Sequence, residues 1–210
     1  MPQNPHRTGR RRFLLAAATA PFGPRVLMAH AAERTVKIDS IDVFLVYYPW
    51  TGYWKFLEGS PGHAVVFVKI TADDGTVGWG QSLPVPKWSY ETPETAMIVL
   101  RDYLAPALVG RDPRDIAGAH AVLDRALAPS FTTATPITRA GLDIALHDLA
   151  GKLEGKSVSR LWGRERGGPV RLSWTINVRT LEEADGEIEA AQKRGYRDFN
   201  IKISPDPTFD

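Results

Sequence analysis

Residues 198–203, Asp-Phe-Asn-Ile-Lys-Ile, constrain the architecture of this chain more than any other segment. They follow a β-rich run at 170–178 and a helical stretch at 180–194, so the C-terminal region reads strand, helix, strand. That order implies a parallel sheet. Two strands cannot make a self-supporting sheet, and a closed eight-fold barrel takes about 250 residues. Only 42 residues follow Gly168. The expectation is therefore an α/β unit whose barrel is truncated after its second strand.

The N-terminus reads as an export signal. Arg7, Arg10, Arg11 and Arg12 precede an apolar run at 13–20, and Ala29-His30-Ala31 supplies a small-x-small cleavage pattern. The run Arg10-Arg11-Arg12-Phe13-Leu14 resembles the twin-arginine signal, so residues 1–31 are expected to direct export to the periplasm. A run of eight residues falls far short of the roughly 20 that span a bilayer, and no membrane span is expected. A basic arm for nucleic acid is the competing reading, but signal order argues against it and no nucleic-acid partner is expected. Residues 1–31 hold five of the 26 Lys and Arg and none of the 24 Asp and Glu, so the remainder of the chain is slightly acidic. The absence of cysteine excludes disulfides, thiolate metal sites and Cys nucleophiles.

Beyond the signal, the runs 36–48 and 64–72 are rich in Val, Ile and Phe, and Asp73-Asp74-Gly75 supplies turn chemistry before a third run at 77–81. A three-stranded antiparallel meander is predicted. Thr92-Pro93, Asp112-Pro113 and Thr135-Pro136 each pair a capping residue with proline at a first helical position, predicting three helix starts. In the third helix Leu142, Ala145, Leu146, Leu149 and Leu153 form one apolar stripe, and Gly155 ends it. Strands followed by helices make an α+β domain at 32–132. The change to the α/β domain, 133–210, is placed near residues 129–135.

With period two, Asn200 and Lys202 share one strand face while Phe199, Ile201 and Ile203 share the other. The apolar face suits packing under helices. Lys202 and Asn200 would then point inward at the strand's C-terminal end, where barrel enzymes place their chemistry. A lysine there can serve as general base. Spacing alone leaves open the alternative of a lysine snorkelling to solvent.

The helix Ala-Gly-Leu-Asp-Ile-Ala-Leu-His-Asp-Leu-Ala-Gly-Lys at 140–152, continuing to Leu161-Trp162-Gly163, resembles the segment leading into the barrel of the mandelate racemase and muconate lactonizing enzymes of the enolase superfamily. Leu-Ser-Trp-Thr-Ile at 172–176 resembles that family's first barrel strand, and Gly-Tyr-Arg-Asp-Phe-Asn-Ile-Lys-Ile at 195–203 its second. The meander and helices before them resemble its capping domain, so the likeness runs over roughly residues 36–207. The resemblance implies abstraction of a proton α to a carboxylate with Mg²⁺ assistance, in an isomerase, cycloisomerase or acid-sugar dehydratase. The family's second strand ends in Lys-x-Lys. Its second lysine, the base, falls on Lys202; its first, which lowers the neighbour's pKa, falls on Asn200.

The resemblance further implies that the metal ligands are acids on the next three barrel strands, beyond Asp210. No Mg²⁺ is expected to bind this chain alone. It also implies a small carboxylate substrate such as an acid sugar, and it allows a homo-oligomer. Tyr47, Tyr48, Trp50, Tyr53, Trp54 and Phe56 crowd the connection between the first two strands, which in the family folds over the barrel mouth. Tyr53, Trp54 and, near the second capping loop, Trp79 are the candidate substrate-binding residues. An aromatic cluster packing the loop onto its own domain is the alternative. A truncated, non-catalytic remnant or a self-associating capping module is the alternative to an enzyme. Other motifs fail on context: Gly155-Lys156-Ser157 follows a helix where a phosphate loop would open one, Gly78-Trp79-Gly80 sits in a hairpin, and His63, His120 and His147 lack metal spacing.

Overall fold

Alternation of apolar and polar residues on both sides of an Asp-Asp-Gly turn folds the first described strands into a meander. A computed structural model describes residues 35–49, 62–129, 134–165 and 167–202. Strands β1 (Ile38–Pro49), β2 (Gly62–Ala72) and β3 (Val77–Ser82) form an antiparallel sheet in the order β1-β2-β3, with Val43 opposite Val68 and Val68 opposite Gly80. Gly75 takes φ +88°, a conformation that favours glycine, and Thr76 N–H donates to Asp74 Oδ1 at 2.8 Å to close the turn. Both β2 strand partners and both turn residues match the predicted hairpin.

The helices lie on one face of this sheet. They are α1 (Pro93–Ile98), α2 (Ala105–Leu108), α3 (Ile116–Ala126), α4 (Pro136–Glu154) and α5 (Val158–Leu161). Between α1 and α2 the chain widens into a π-helical segment, Val99–Leu104, in which Ala105 N–H reaches Leu100 O. Pro106 follows, lacking an N–H and crowding the carbonyl four residues before it, and a locally widened helix relieves that clash. Val66, Val68 and Ile70 of β2 meet Leu142, Ala145, Leu146 and Leu149 of α4 in one fully buried core, joined by Leu100, Leu104, Leu108 and Leu123.

Contact between α4 and β3 is backbone against backbone. A Cβ added to Gly80 would lie 2.0 Å from Gly141 O, and one added to Gly78 would lie 2.3 Å from Ala145 O, so only glycine lets the helix approach this closely. This is what Gly78 and Gly80 are for. Along the same seam Asp148 Oδ2 accepts from Trp79 N–H at 2.8 Å, Lys152 Nζ donates to Val77 O at 2.8 Å, and Ser82 Oγ donates to Thr138 O at 2.9 Å. Side chains of α4 thereby occupy the hydrogen-bonding groups along the outer edge of β3. α4, which the predicted division at 132/133 assigns to the second domain, supplies Leu142, Ala145, Leu146 and Leu149 to the same core as the sheet.

One of the three helix starts differs from the sequence signals, and another takes its capping bond from a distant residue. Thr92 caps α1 as predicted, in a reciprocal box with Thr95. At the second, Asp112 instead binds Arg114 through backbone and side chain, and the helix begins at Ile116 under Asp115, whose carboxylate accepts from Gly118 N–H. At the third, the helix begins at Pro136, but Thr135 makes no capping bond. The cap is Glu91, distant in sequence and only 2% exposed. Its Oε1 accepts from Ile137 N–H at 2.8 Å, and its Oε2 accepts from Thr138 N–H at 2.8 Å and from the Thr138 hydroxyl at 2.6 Å. A carboxylate satisfies two orphan donors at once and carries the charge that a helix N-terminus favours.

Replacing Glu91 with alanine leaves three donors, two of them fully buried, without their acceptor. Glu91→Ala is expected to lower unfolding stability by about 3 kcal/mol, and Glu91→Gln, which keeps one acceptor, by about half of that. Urea denaturation at unchanged m-value checks both.

Candidate functional site

The C-terminal unit is built as the sequence predicts. Strands β4 (Ser173–Ile176) and β5 (Asp198–Ile201) pair in parallel, with Thr175 opposite Asn200, and α6 (Leu181–Lys193) connects them. Thr180 caps α6 by accepting from Glu183 N–H, and Glu182 and Glu183 occupy the first turn, where negative charge is favoured. Trp174 fastens the helix to the strands: its Nε1–H donates to Glu187 Oε2 at 2.8 Å, its ring meets Tyr196 edge-on at 5.0 Å, and the Arg194 guanidinium lies 5.2 Å from the ring centre. Ile176, on the same face, is buried. Ser173, Thr175 and Asn200 consequently share the opposite, open face.

On that face Asn200 Nδ2 donates to Ser173 Oγ at 2.6 Å. Lys202 stands one residue beyond β5, and its backbone N–H continues the ladder by donating to Ile176 O at 3.2 Å. Both side chains are exposed at the C-terminal ends of the parallel strands. Tyr53 and Trp54 lie outside the described residues. Trp79 is on the sheet face away from α4, 45% exposed, with its ring 6.1 Å from that of Phe44.

One cleft near the capping connection escaped the sequence reading. It has a volume of about 210 Å³ and lies where β2 begins, walled by Tyr47, His63, Pro84, Val85, Pro86 and Glu94. His63 is 8% exposed, and burial holds its imidazole below the usual histidine value, so it is neutral near pH 7. Its position directly after the aromatic-rich connection was the only available signal, and nothing in the spacing of the histidines marked it.

A second polar cluster joins α3, α4 and the turn after α5. Arg139 Nη2 donates to His120 Nδ1 at 3.0 Å, and His120 Nε2 lies 2.7 Å from Asp143 Oδ1. Trp162 Nε1–H donates to His147 Nε2 at 3.0 Å, and His147 Nδ1 lies 2.9 Å from Asp143 O. Guanidinium and indole nitrogens only donate, so the ring nitrogen facing each must accept. The remaining proton of each imidazole is then on the nitrogen turned toward Asp143. A metal ion would need a lone pair at that nitrogen, so the cluster does not fit one. Among the described residues no group of three or more His, Cys, Asp or Glu is arranged to hold a metal. Mg²⁺ in particular calls for a carboxylate-rich oxygen set that these residues do not offer. No helix among them is long and apolar enough to cross a membrane.

The family model described as "Mandelate racemase / muconate lactonizing enzyme, N-terminal domain" matches residues 58–163. Chloromuconate cycloisomerase from Cupriavidus necator is 32% identical over 141 residues, covering 66% of this chain and 36% of that enzyme. The structure of muconate lactonizing enzyme from Pseudomonas putida superposes with a TM-score of 0.71 at 25% identity, covering 81% of this chain and 45% of that one. N-succinyl Arg/Lys racemase from Bacillus cereus superposes with a TM-score of 0.75 at 23% identity, covering 83% and 46%, which shows a common fold. The chain spans between about a third and a half of the length of these relatives.

Calorimetric titration of the chain with Mg²⁺, and separately with Zn²⁺, is expected to show no stoichiometric site tighter than about millimolar, the weak end of the range for oxygen-ligand sites. A tighter one-to-one isotherm would contradict the reading of this cluster.

Proposed function

The chain belongs to the mandelate racemase/muconate lactonizing enzyme family of the enolase superfamily, and we propose that it is the N-terminal portion of an enzyme that abstracts the proton α to a substrate carboxylate with Mg²⁺ assistance. Its sheet and five helices are the capping domain, and β4, α6 and β5 begin the (β/α)-barrel. The reaction class is isomerisation, cycloisomerisation or loss of water from a small carboxylate such as an acid sugar. The observation that carries the reading is the open face of the β4–β5 pair, with Asn200 and then Lys202 at the strand end. Lys202 is the general base, and Asn200 stands where the family has its first lysine. The described residues do not themselves offer a ligand set for Mg²⁺.

The second reading is a non-catalytic remnant or self-associating capping module. The outer face of the sheet favours it, since Phe44, Val46 and Trp79 are each at least 40% exposed there. Sequence downstream of codon 210 separates the two, because acids at the next three strand ends belong only to the enzyme. Export by the twin-arginine route is part of the proposal and rests on residues 10–14, which lie outside the described residues. Replacing Arg10 and Arg11 together with lysine should stop periplasmic accumulation of a tagged protein, since the pathway reads the arginine pair. Unchanged periplasmic yield on fractionation would refute it.

In the full-length protein, Lys202→Ala should slow exchange of a turned-over substrate's α-proton with solvent deuterium by about 10³-fold, the usual worth of a positioned base. A base acts in its deprotonated form, so activity rises with pH on the limb it controls. Asn200→Lys adds a cation that disfavours a second positive charge beside it, and that ascending limb should move to lower pH. Wild-type exchange in Lys202→Ala, followed by NMR in D₂O, would remove the assignment.

A further inference from the structure

A cleft of about 310 Å³ opens at the N-terminal ends of β4 and β5, the end of the strand pair opposite Lys202. Arg171, leading into β4, and Arg194 and Arg197, between α6 and β5, line it together with Tyr196 and Asp198. Three guanidinium groups there meet one carboxylate. Arg171 Nε lies 3.2 Å from Asp198 Oδ2, which accounts for one pair of charges. The Arg194 guanidinium lies 5.2 Å from the centre of the Trp174 ring, a contact that places it without neutralising it. Arg197 makes no side-chain hydrogen bond or ion pair among the described residues. The lining of the cleft therefore keeps two positive charges with no carboxylate to offset them.

We propose that this cleft is a binding site for a phosphate-type oxyanion. A guanidinium presents its N–H groups as a planar fork that matches two oxygens of a phosphate, and it stays charged at any working pH. The negative end of α6 accounts for a cation at Arg194, the residue that closes that helix. It accounts for neither Arg171 nor Arg197, which come from the segments leading into the two strands. Three like charges around one cleft repel one another, and a doubly charged anion both relieves that repulsion and balances the surplus that Asp198 leaves. Asp198 and Trp174 already restrain Arg171 and Arg194, so less side-chain freedom is lost on binding. An anion held between them joins the lead-in of β4 to the turn before β5. The site lies at the other end of the strands from Lys202, and the proposal is independent of that lysine's role.

Heteronuclear NMR of the arginine Nε–H groups tests this on the whole chain, titrated with inorganic phosphate while chloride holds the ionic strength constant. The signals of Arg171, Arg194 and Arg197 should follow saturable curves with one shared midpoint of about a millimolar, since charges this exposed bind weakly. Arg101 and Arg114, already paired with Asp102 and Asp112, should not respond and serve as internal controls. Arg197→Gln should weaken binding about tenfold, the effect of one charge-assisted hydrogen bond. Arg197→Lys, which keeps the charge and loses the fork, should weaken it less. Because Arg197 has no side-chain bond to lose among the described residues, both variants should keep the wild-type pattern of backbone signals. Shifts that grow linearly without saturating overturn the proposal, as does an equal response at Arg101 and Arg114. An unchanged midpoint in Arg197→Gln overturns it as well.

Discussion

A single buried carboxylate holds the helical layer in register with the sheet. Glu91 lies in the connection that leaves β3, and it takes the first free N–H groups of α4, a helix that begins 45 residues later. With its start pinned there, α4 runs along β3 so that Gly141 meets Ser82, Ala145 meets Gly78 and Gly80, and Asp148 meets the backbone of Trp79. The buried stripe of Leu142, Leu146 and Leu149 then falls on β2. A shift of α4 by one residue would carry carbonyls into β3 and turn that stripe away. The charged cap also explains how a carboxylate tolerates 2% exposure: it accepts three hydrogen bonds and faces the positive end of a helix.

The second end of α4 is tied differently. Gly155 takes the left-handed conformation at φ 61° and turns the chain into α5, and the Trp162 indole returns to His147 on α4. His147 shares Asp143 with His120, which Arg139 holds in turn. Every ring nitrogen in this chain of contacts is used, and each imidazole is fixed in one neutral tautomer. The cluster secures the exit of α4 toward β4. It is a structural counterpart of the Glu91 cap at the other end of the same helix, built from neutral rings where the cap uses a charge.

Much of this was readable in one dimension because the signals were local. The Asp-Asp-Gly hairpin, the Thr92 cap, the leucine stripe of α4, its glycine terminus and the strand-helix-strand order each depend on residues within a few positions of one another. The misreadings share the opposite property. Thr135-Pro136 starts a helix, yet its capping group comes from Glu91. Asp112-Pro113 has the form of a helix start, yet Asp112 is taken by Arg114 and the helix waits for Asp115. The Gly78-Trp79-Gly80 triplet, dismissible as a nucleotide loop, had no legible purpose until α4 was laid against it.

The sequence by itself determined the three-stranded meander, the long helix α4, the strand-helix-strand order of the C-terminal unit and the parallel sense of β4 and β5, since these follow from periods of two and 3.6 and from turn chemistry. Only the tertiary structure decided what lies beside each face. That α6 covers Trp174 and Ile176, that Asn200 therefore meets Ser173 on the open side, and that Glu91 caps a distant helix are choices among partners far apart in the chain. Backbone donors and acceptors must be satisfied wherever packing buries them, and which side chain arrives to do so depends on the whole fold.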